Sequence, residues 1–368
     1  MPTRPARPVR SAGPEVAPPA APTPSPTPPG DLPPGTRLGG RYVIEGRLGH
    51  GGFASVYRAR QDNLGRPVAI KVLRPHPSVP LDSQRARLQR EAEALSRLSA
   101  PGCVRIYDVG ELPDGRPWIA QEFVAGTRLD IALKSGPFTT ARAIEVAAGV
   151  LLALAEAHAH GVVHRDIKPD NIMLVVGADG RERVKVLDFG IARLQGPTDA
   201  QSFRTSTRHV FGTPQYMAPE QARQEPLGPA ADLYAVGILL HRMLVGREPF
   251  DGPDGYGILR AQVYDTVPRP AGVPAPVVDV MMQALAKRPE ERFESATAMR
   301  AALRVAGLTP PTPKRRWWVA AAVVAGLTVG FALGVVAARS DRTAALEAAP
   351  TLRVYTPQPA EFKAESGE

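Results

Sequence analysis

One cysteine in 368 residues, Cys103, excludes any internal disulfide, and such sparing use fits a reducing compartment. Cys103 follows Pro101-Gly102, and a packing role is expected for it. Seven histidines are present, yet none stands at the spacing of a zinc site, so no transition-metal chemistry is expected. Large apolar groups are almost missing from the first 36 residues, which hold Pro-Pro pairs at 18–19, 28–29 and 33–34. Without an apolar h-region this is not a secretory signal, and the composition predicts a disordered, locally polyproline-like tail over 1–37. The last stretch, 339–368, lacks the apolar residues, cysteines and repeats that would build a core. It is expected to be a short disordered tail rather than a folded sensor.

What is present is chemistry for handling phosphate. The run His164-Arg165-Asp166-Ile167-Lys168-Pro169-Asp170-Asn171 is followed by Asp188-Phe189-Gly190. Moving a γ-phosphoryl group needs a base to orient the hydroxyl, a cation to offset developing negative charge, and hard oxygen ligands for magnesium. Asp166, Lys168 and the Asn171/Asp188 pair supply these in turn. Upstream, a strand-like run from Tyr42 breaks at Leu48-Gly49-His50-Gly51-Gly52-Phe53-Ala54-Ser55-Val56, where glycines let the backbone approach a polyphosphate. A dinucleotide-binding fingerprint would want a helix directly after the glycines. Ser55 to Arg60 alternates like a strand instead, which places the glycines in a hairpin. Val68-Ala69-Ile70-Lys71 ends the next strand, and the helical run Ser83 to Leu98 carries Glu91. A buried Lys–carboxylate pair about 4 Å apart attracts by roughly 4 kcal/mol at an effective dielectric near 20.

In this order the motifs resemble those of the protein kinases, and Lys168, two residues after Asp166, resembles the serine/threonine branch. The resemblance implies an α+β, bilobal kinase fold over 38–307. Its N-lobe, 38–123, would be a small antiparallel sheet with one helix, and its C-lobe, 124–307, mostly helical. It implies ATP as substrate with Mg²⁺, or Mn²⁺ in its place, held by Asn171 and Asp188. The catalytic set would be Asp166, Lys168, Lys71, Glu91 and Thr213, with Thr213 of Gly212-Thr213-Pro214 between Asp166 and Lys168. Nucleotide contacts are expected from the glycine-loop residues Leu48 to Val56, from Ala69 and Lys71, and from Glu122 and Val124 after the aligned gatekeeper Gln121. Thr205 and Thr207, in a hydroxyl-rich segment, are the expected phosphorylation sites, because Arg165 beside Asp166 offers a charge for a phosphate to meet. Asp232 should tie down the catalytic loop, and Glu220 of Ala218-Pro219-Glu220 should bridge to Arg292. With these motifs intact, the chain reads as an active bacterial-type kinase acting on protein hydroxyls. A non-catalytic nucleotide-binding scaffold is the alternative.

From Trp317 to Ala338 the only polar side chain is Thr328. At 1.5 Å per residue this run makes about 33 Å of helix, enough for a hydrocarbon core of roughly 30 Å. Lys314-Arg315-Arg316 precede it and Trp317-Trp318 mark an interface, so 308–316 reads as a basic linker and 317–338 as one transmembrane helix, with the kinase on the cytoplasmic side of a bacterial inner membrane. Gly326, Gly330 and Gly334 share one face and would allow a homodimer. The formal charge of +9 and a pI near 9.9 suit an anionic inner surface, although an arginine-rich coding bias gives the same numbers. No nucleic-acid partner is expected.

Overall fold

The computed structural model describes residues 31–51, 54–74, 80–189, 214–252 and 254–308, with the side chains of Leu81, Gln84, Arg87 and Glu91 excepted. Six strands, β1 (Arg37–Leu38), β2 (Tyr42–His50), β3 (Ala54–Gln61), β4 (Arg66–Leu73), β5 (Ile106–Glu111) and β6 (Pro117–Glu122), form one sheet in the order β1-β2-β3-β4-β6-β5. Every neighbouring pair is antiparallel. The central strand β4 shows how sequence sets the two faces. Val68, Ile70 and Val72 pack into an apolar layer with Tyr42, Ile44 and Trp118, whereas Ala69 and Lys71 alternate onto the opposite face. That layer is tied by Tyr42 and Trp118, whose rings meet edge-on at 5.7 Å.

Helix α1 (Leu81–Ser96) lies between β4 and β5 in sequence, directly after Pro80, which cannot continue a helix N-terminally. It begins and ends two residues earlier than the pattern of apolar residues predicts. Its Leu88, Ala92 and Leu95 are buried at helical spacing.

The second lobe opens with β7 (Thr127–Arg128) and the short α2 (Leu129–Ala132), then α3 (Thr140–Ala159), β8 (Ile172–Val176) and β9 (Glu182–Val186). Strands β7, β8 and β9 form a small antiparallel sheet. The Thr139 side chain caps α3 by accepting from the Arg142 N–H at 3.3 Å. Further on come α4 (Pro219–Arg223), α5 (Pro229–Val245), α6 (Gly255–Tyr264), α7 (Ala275–Ala284) and α8 (Ala296–Leu308). Helix α5 is buried along almost its whole length between α3 and α7, so it is mostly apolar, with Asp232, His241 and Arg242 as its acidic and basic side chains. Pro229 starts it and Gly246, at φ 86°, stops it in a left-handed conformation that a side chain would resist. A short parallel bridge from Cys103 to Val186 stitches the loop after α1 to the small sheet. Cys103 is 1 % exposed, and burial, with the Glu156 charge second, pushes its thiol up to about 12. It packs rather than reacts.

The boundary of the Pro-rich tail needs correction. Residues 31–37 are placed rather than disordered: the Tyr57 hydroxyl donates to Asp31 at 2.7 Å, Leu32 packs on the apolar layer, and Arg37–Leu38 pairs with β2. Composition misled here because one buried tyrosine, donating to Asp31 and accepting from the Leu32 N–H at 3.2 Å, holds a segment that carries no apolar period of its own. Among the described residues no helix is long and apolar enough to cross a membrane. The expected span 317–338, with Gly326, Gly330 and Gly334, lies outside the described residues.

Candidate active site

Between the two sheets lies a cleft of about 880 Å³. Its roof is the β2–β3 hairpin, closed by the Gly51 N–H donating to the Ala54 carbonyl at 2.9 Å. Leu48, Gly49, His50, Gly51, Ala54 and Val56 all line it. Ser55 does not, because strand alternation turns it away from the side that Ala54 and Val56 share; its hydroxyl meets His50 Nδ1 at 3.1 Å. Gly52 and Phe53 lie outside the described residues.

The back of the cleft is built by β4 and β6, and both Ala69 and Lys71 face it, as do Glu122 and Val124. The Glu122 carboxylate is held by Lys185 at 2.6 Å, so what this residue can offer a nucleotide is backbone. Met173, Phe123, Leu73 and Leu187 add to the apolar lining. Sequence reasoning did not name these four. Met173 lies on β8, two residues after Asn171, and both line the cleft.

The floor holds the charged groups. Lys168 Nζ lies 2.8 Å from Asp166 Oδ2, and Asn171 Nδ2 donates to the same oxygen at 2.9 Å and to the Asp166 carbonyl at 2.8 Å. Lys71 Nζ lies 2.9 Å from Asp188 Oδ1. Five residues from three separate segments, Lys71, Asp166, Lys168, Asn171 and Asp188, thus share one cleft. The segments bearing them are knit together: the Leu187 N–H donates to the Asn171 carbonyl at 2.8 Å, and His164 Nε2 lies 2.8 Å from the Leu187 carbonyl. Glu91 sits on α1, but its side chain is outside the described set, as are Thr205, Thr207 and Thr213.

A protein kinase domain model matches residues 42–303. The chain belongs to the protein kinase family. Curated relatives include "Serine/threonine-protein kinase pkn3" of Myxococcus xanthus, 39% identical over 73% of this chain and 50% of that protein. "Serine/threonine-protein kinase PknB" of Mycobacterium tuberculosis is 40% identical over 75% and 44%. The chain thus spans half or less of the length of these relatives. Among solved structures, the "Mycobacterium tuberculosis PknI kinase domain" superposes with a TM-score of 0.57 at 28% identity, covering 75% of this chain and all of that one. The protein kinase domain and its two-lobed fold are therefore established.

In this kinase domain the catalytic loop is held from below by Asp232, which is 1 % exposed. Its Oδ1 accepts the Arg165 N–H at 2.7 Å, and its Oδ2 accepts the His164 N–H at 2.8 Å and meets His158 Nε2 at 2.8 Å. Arg165 needs holding, because its φ of 67° is a left-handed conformation that a long side chain adopts at a cost of about 1–3 kcal/mol. The helix-end histidine His158, which no local motif singles out, is the third partner. Asp232→Ala strands two backbone N–H groups at about 1–3 kcal/mol each. The expected result is a urea midpoint well below the parent's, with Asp232→Asn falling between. Equal midpoints for the alanine variant and the parent would remove the clamp.

The Glu220–Arg292 bridge is also formed, through two contacts of 2.6 and 2.7 Å between buried side chains.

Proposed function

We propose that this chain is an ATP-dependent serine/threonine protein kinase that transfers the γ-phosphoryl group to protein hydroxyls. The observation that carries the reading is the convergence of Lys71, Asp166, Lys168, Asn171 and Asp188 on one cleft. The names of its relatives and the lysine two residues after Asp166 support the serine/threonine branch.

The residues present fit a nucleotide and its metal. Leu48, Val56, Ala69 and Met173 offer an apolar slot for a base. Lys71 offers a cation for phosphates, a role that Glu91 on α1 would support by pairing with it. Among the described residues no group of three or more histidine, cysteine or carboxylate side chains gathers at one point. That suits Mg²⁺, or Mn²⁺, which keeps few protein ligands and takes the rest from phosphate and water; Asn171 and Asp188 would hold it. Once bound, the ion would neutralise charge on the phosphates. Asp166 then orients the acceptor hydroxyl, while Lys168, 2.8 Å from it, stands ready for the negative charge that develops. Thr213 would complete this set.

Two tests bear on this reading. Incubating the chain with labelled ATP, magnesium and a generic protein acceptor should give phosphoserine and phosphothreonine, absent from an Asp166→Asn control. The same sample should carry phosphate at Thr205 and Thr207, and the double alanine variant should phosphorylate the acceptor several-fold more slowly. Parent-like rates from that variant would exclude activation at these positions.

We also propose that Trp317 to Ala338 anchors the kinase in a bacterial inner membrane with the catalytic domain inside. The support is its length, its apolar composition and the preceding Lys314-Arg315-Arg316. Gly326, Gly330 and Gly334 on one face support helix pairing. Crosslinking in membranes should yield dimer for the parent and much less for Gly330→Leu. Recovery of the parent in the soluble fraction would count against the anchor, and equal dimer yields against the glycine face.

A further inference from the structure

A second cavity, of about 1190 Å³, is walled by α3, the β8–β9 hairpin, the loop before β5 and helix α8. Its charges do not balance. Three of its cations are committed: Arg142 to Glu182 at 2.8 Å, Arg183 to Asp179 at 2.7 Å, and Lys185 to Glu122 at 2.6 Å. Arg105, Arg181, Arg300 and Arg304 also line the cavity, and among the described residues none of the four makes an ion pair. Glu145 is the one lining carboxylate left over. Moreover, Arg300 Nε is buried with no hydrogen-bond partner, and a buried donor in that condition calls for an acceptor. Four like charges around one concavity repel each other unless an anion enters.

Three chemistries would supply one. A bilayer presents its phosphates on a surface too flat to reach cations inside a hollow. Nucleic acid wants aromatic faces for its bases, but Tyr107, the one aromatic lining the cavity, has the Arg66 guanidinium over its ring at 3.7 Å. An extended acidic peptide meets neither obstacle. Arginine forks bind carboxylates two-pronged, and Leu152, on the cavity wall and 41 % exposed, gives an apolar side chain somewhere to rest.

We propose that this cavity is a docking site for an acidic peptide segment of a protein partner. Carboxylates would sit on Arg105, Arg181, Arg300 and Arg304, and an apolar side chain over Leu152. Where the kinase reading holds, the partner so captured is a substrate, recruited away from the cleft where transfer occurs.

Binding is measured without nucleotide, so its failure is separable from failure of the kinase reading. The probe is a short fluorescein-labelled polyglutamate peptide with one central leucine, followed by anisotropy with the full chain. The parent should bind it with an affinity that falls as salt rises. Arg181→Glu/Arg304→Glu, at two exposed positions, should weaken binding by about ten-fold or more, while Arg181→Lys/Arg304→Lys stays close to the parent. Neither pair should change the rate on an acceptor peptide lacking acidic residues. No binding by the parent, or equal binding by the charge-reversed variant, overturns the proposal. So does a charge-reversed variant that keeps the peptide and loses only vesicles containing phosphatidylglycerol, which would make the face a membrane contact.

Discussion

Asp166→Asn should lower the rate of phosphoryl transfer to protein by about 10²–10⁴-fold and leave nucleotide affinity near the parent's. The substitution keeps the shape of the side chain and its hydrogen bonding to Asn171, but it removes the carboxylate that Lys168 and Asn171 hold in place at 2.8 and 2.9 Å. What it takes away is the group that orients and receives the acceptor's proton, an interaction that matters most as the hydroxyl oxygen begins to bond. Nucleotide contacts lie elsewhere, on the roof, on Lys71 and on Asp188. Single-turnover transfer beside fluorescence titration of a nucleotide analogue separates the two effects. A variant that binds nucleotide normally and transfers at the parental rate would remove Asp166 from the chemistry. A variant that loses both would point to a collapsed loop, which the His164 and Arg165 backbone bonds to Asp232 make unexpected.

Much of this site was readable from residue order alone, for a physical reason. Strand alternation fixes Ala69 and Lys71 on one face of β4, and the reading of Ser55 to Arg60 as strand placed the glycines in a hairpin, where Gly49 and Gly51 are found. The same alternation, pressed one residue further, would have excluded Ser55 from the cleft. Treating the glycine loop as a block, rather than as two strand ends, hid that. The support beneath the loop was half visible. Asp232 was expected to hold backbone, but its third partner, His158, comes from a helix remote in sequence, and nothing local marks it. Residues 31–37 escaped for the opposite reason: they are locally featureless, and what orders them is Tyr57. Contacts between distant elements leave no periodic trace, which is also why the arginine-lined cavity cannot be seen in a list of charges.

Arg292→Ala should be among the most damaging single changes to stability, costing about 3–5 kcal/mol and lowering Tm by roughly 10 °C. Besides its two contacts to Glu220, the Arg292 guanidinium donates to the carbonyls of Ala230 at 2.8 Å and Ala286 at 2.9 Å, and it lies over the Tyr234 ring at 4.9 Å. The residue therefore ties α4, α5 and the loop after α7 into one unit. The size of the loss has a specific origin. Removing the cation leaves Glu220, 2 % exposed, as a buried carboxylate with no counter-charge, and its desolvation is then uncompensated. Glu220→Ala should be comparably harmful, since it strands the guanidinium. Truncating both partners to apolar groups of similar volume, Glu220→Leu/Arg292→Met, should recover a substantial part of what either single change loses, because no buried charge remains. Thermal unfolding of the four proteins checks this. If the double variant is instead less stable than both single ones by the sum of their losses, the bridge contributes through attraction rather than through avoided desolvation, and this account of it fails.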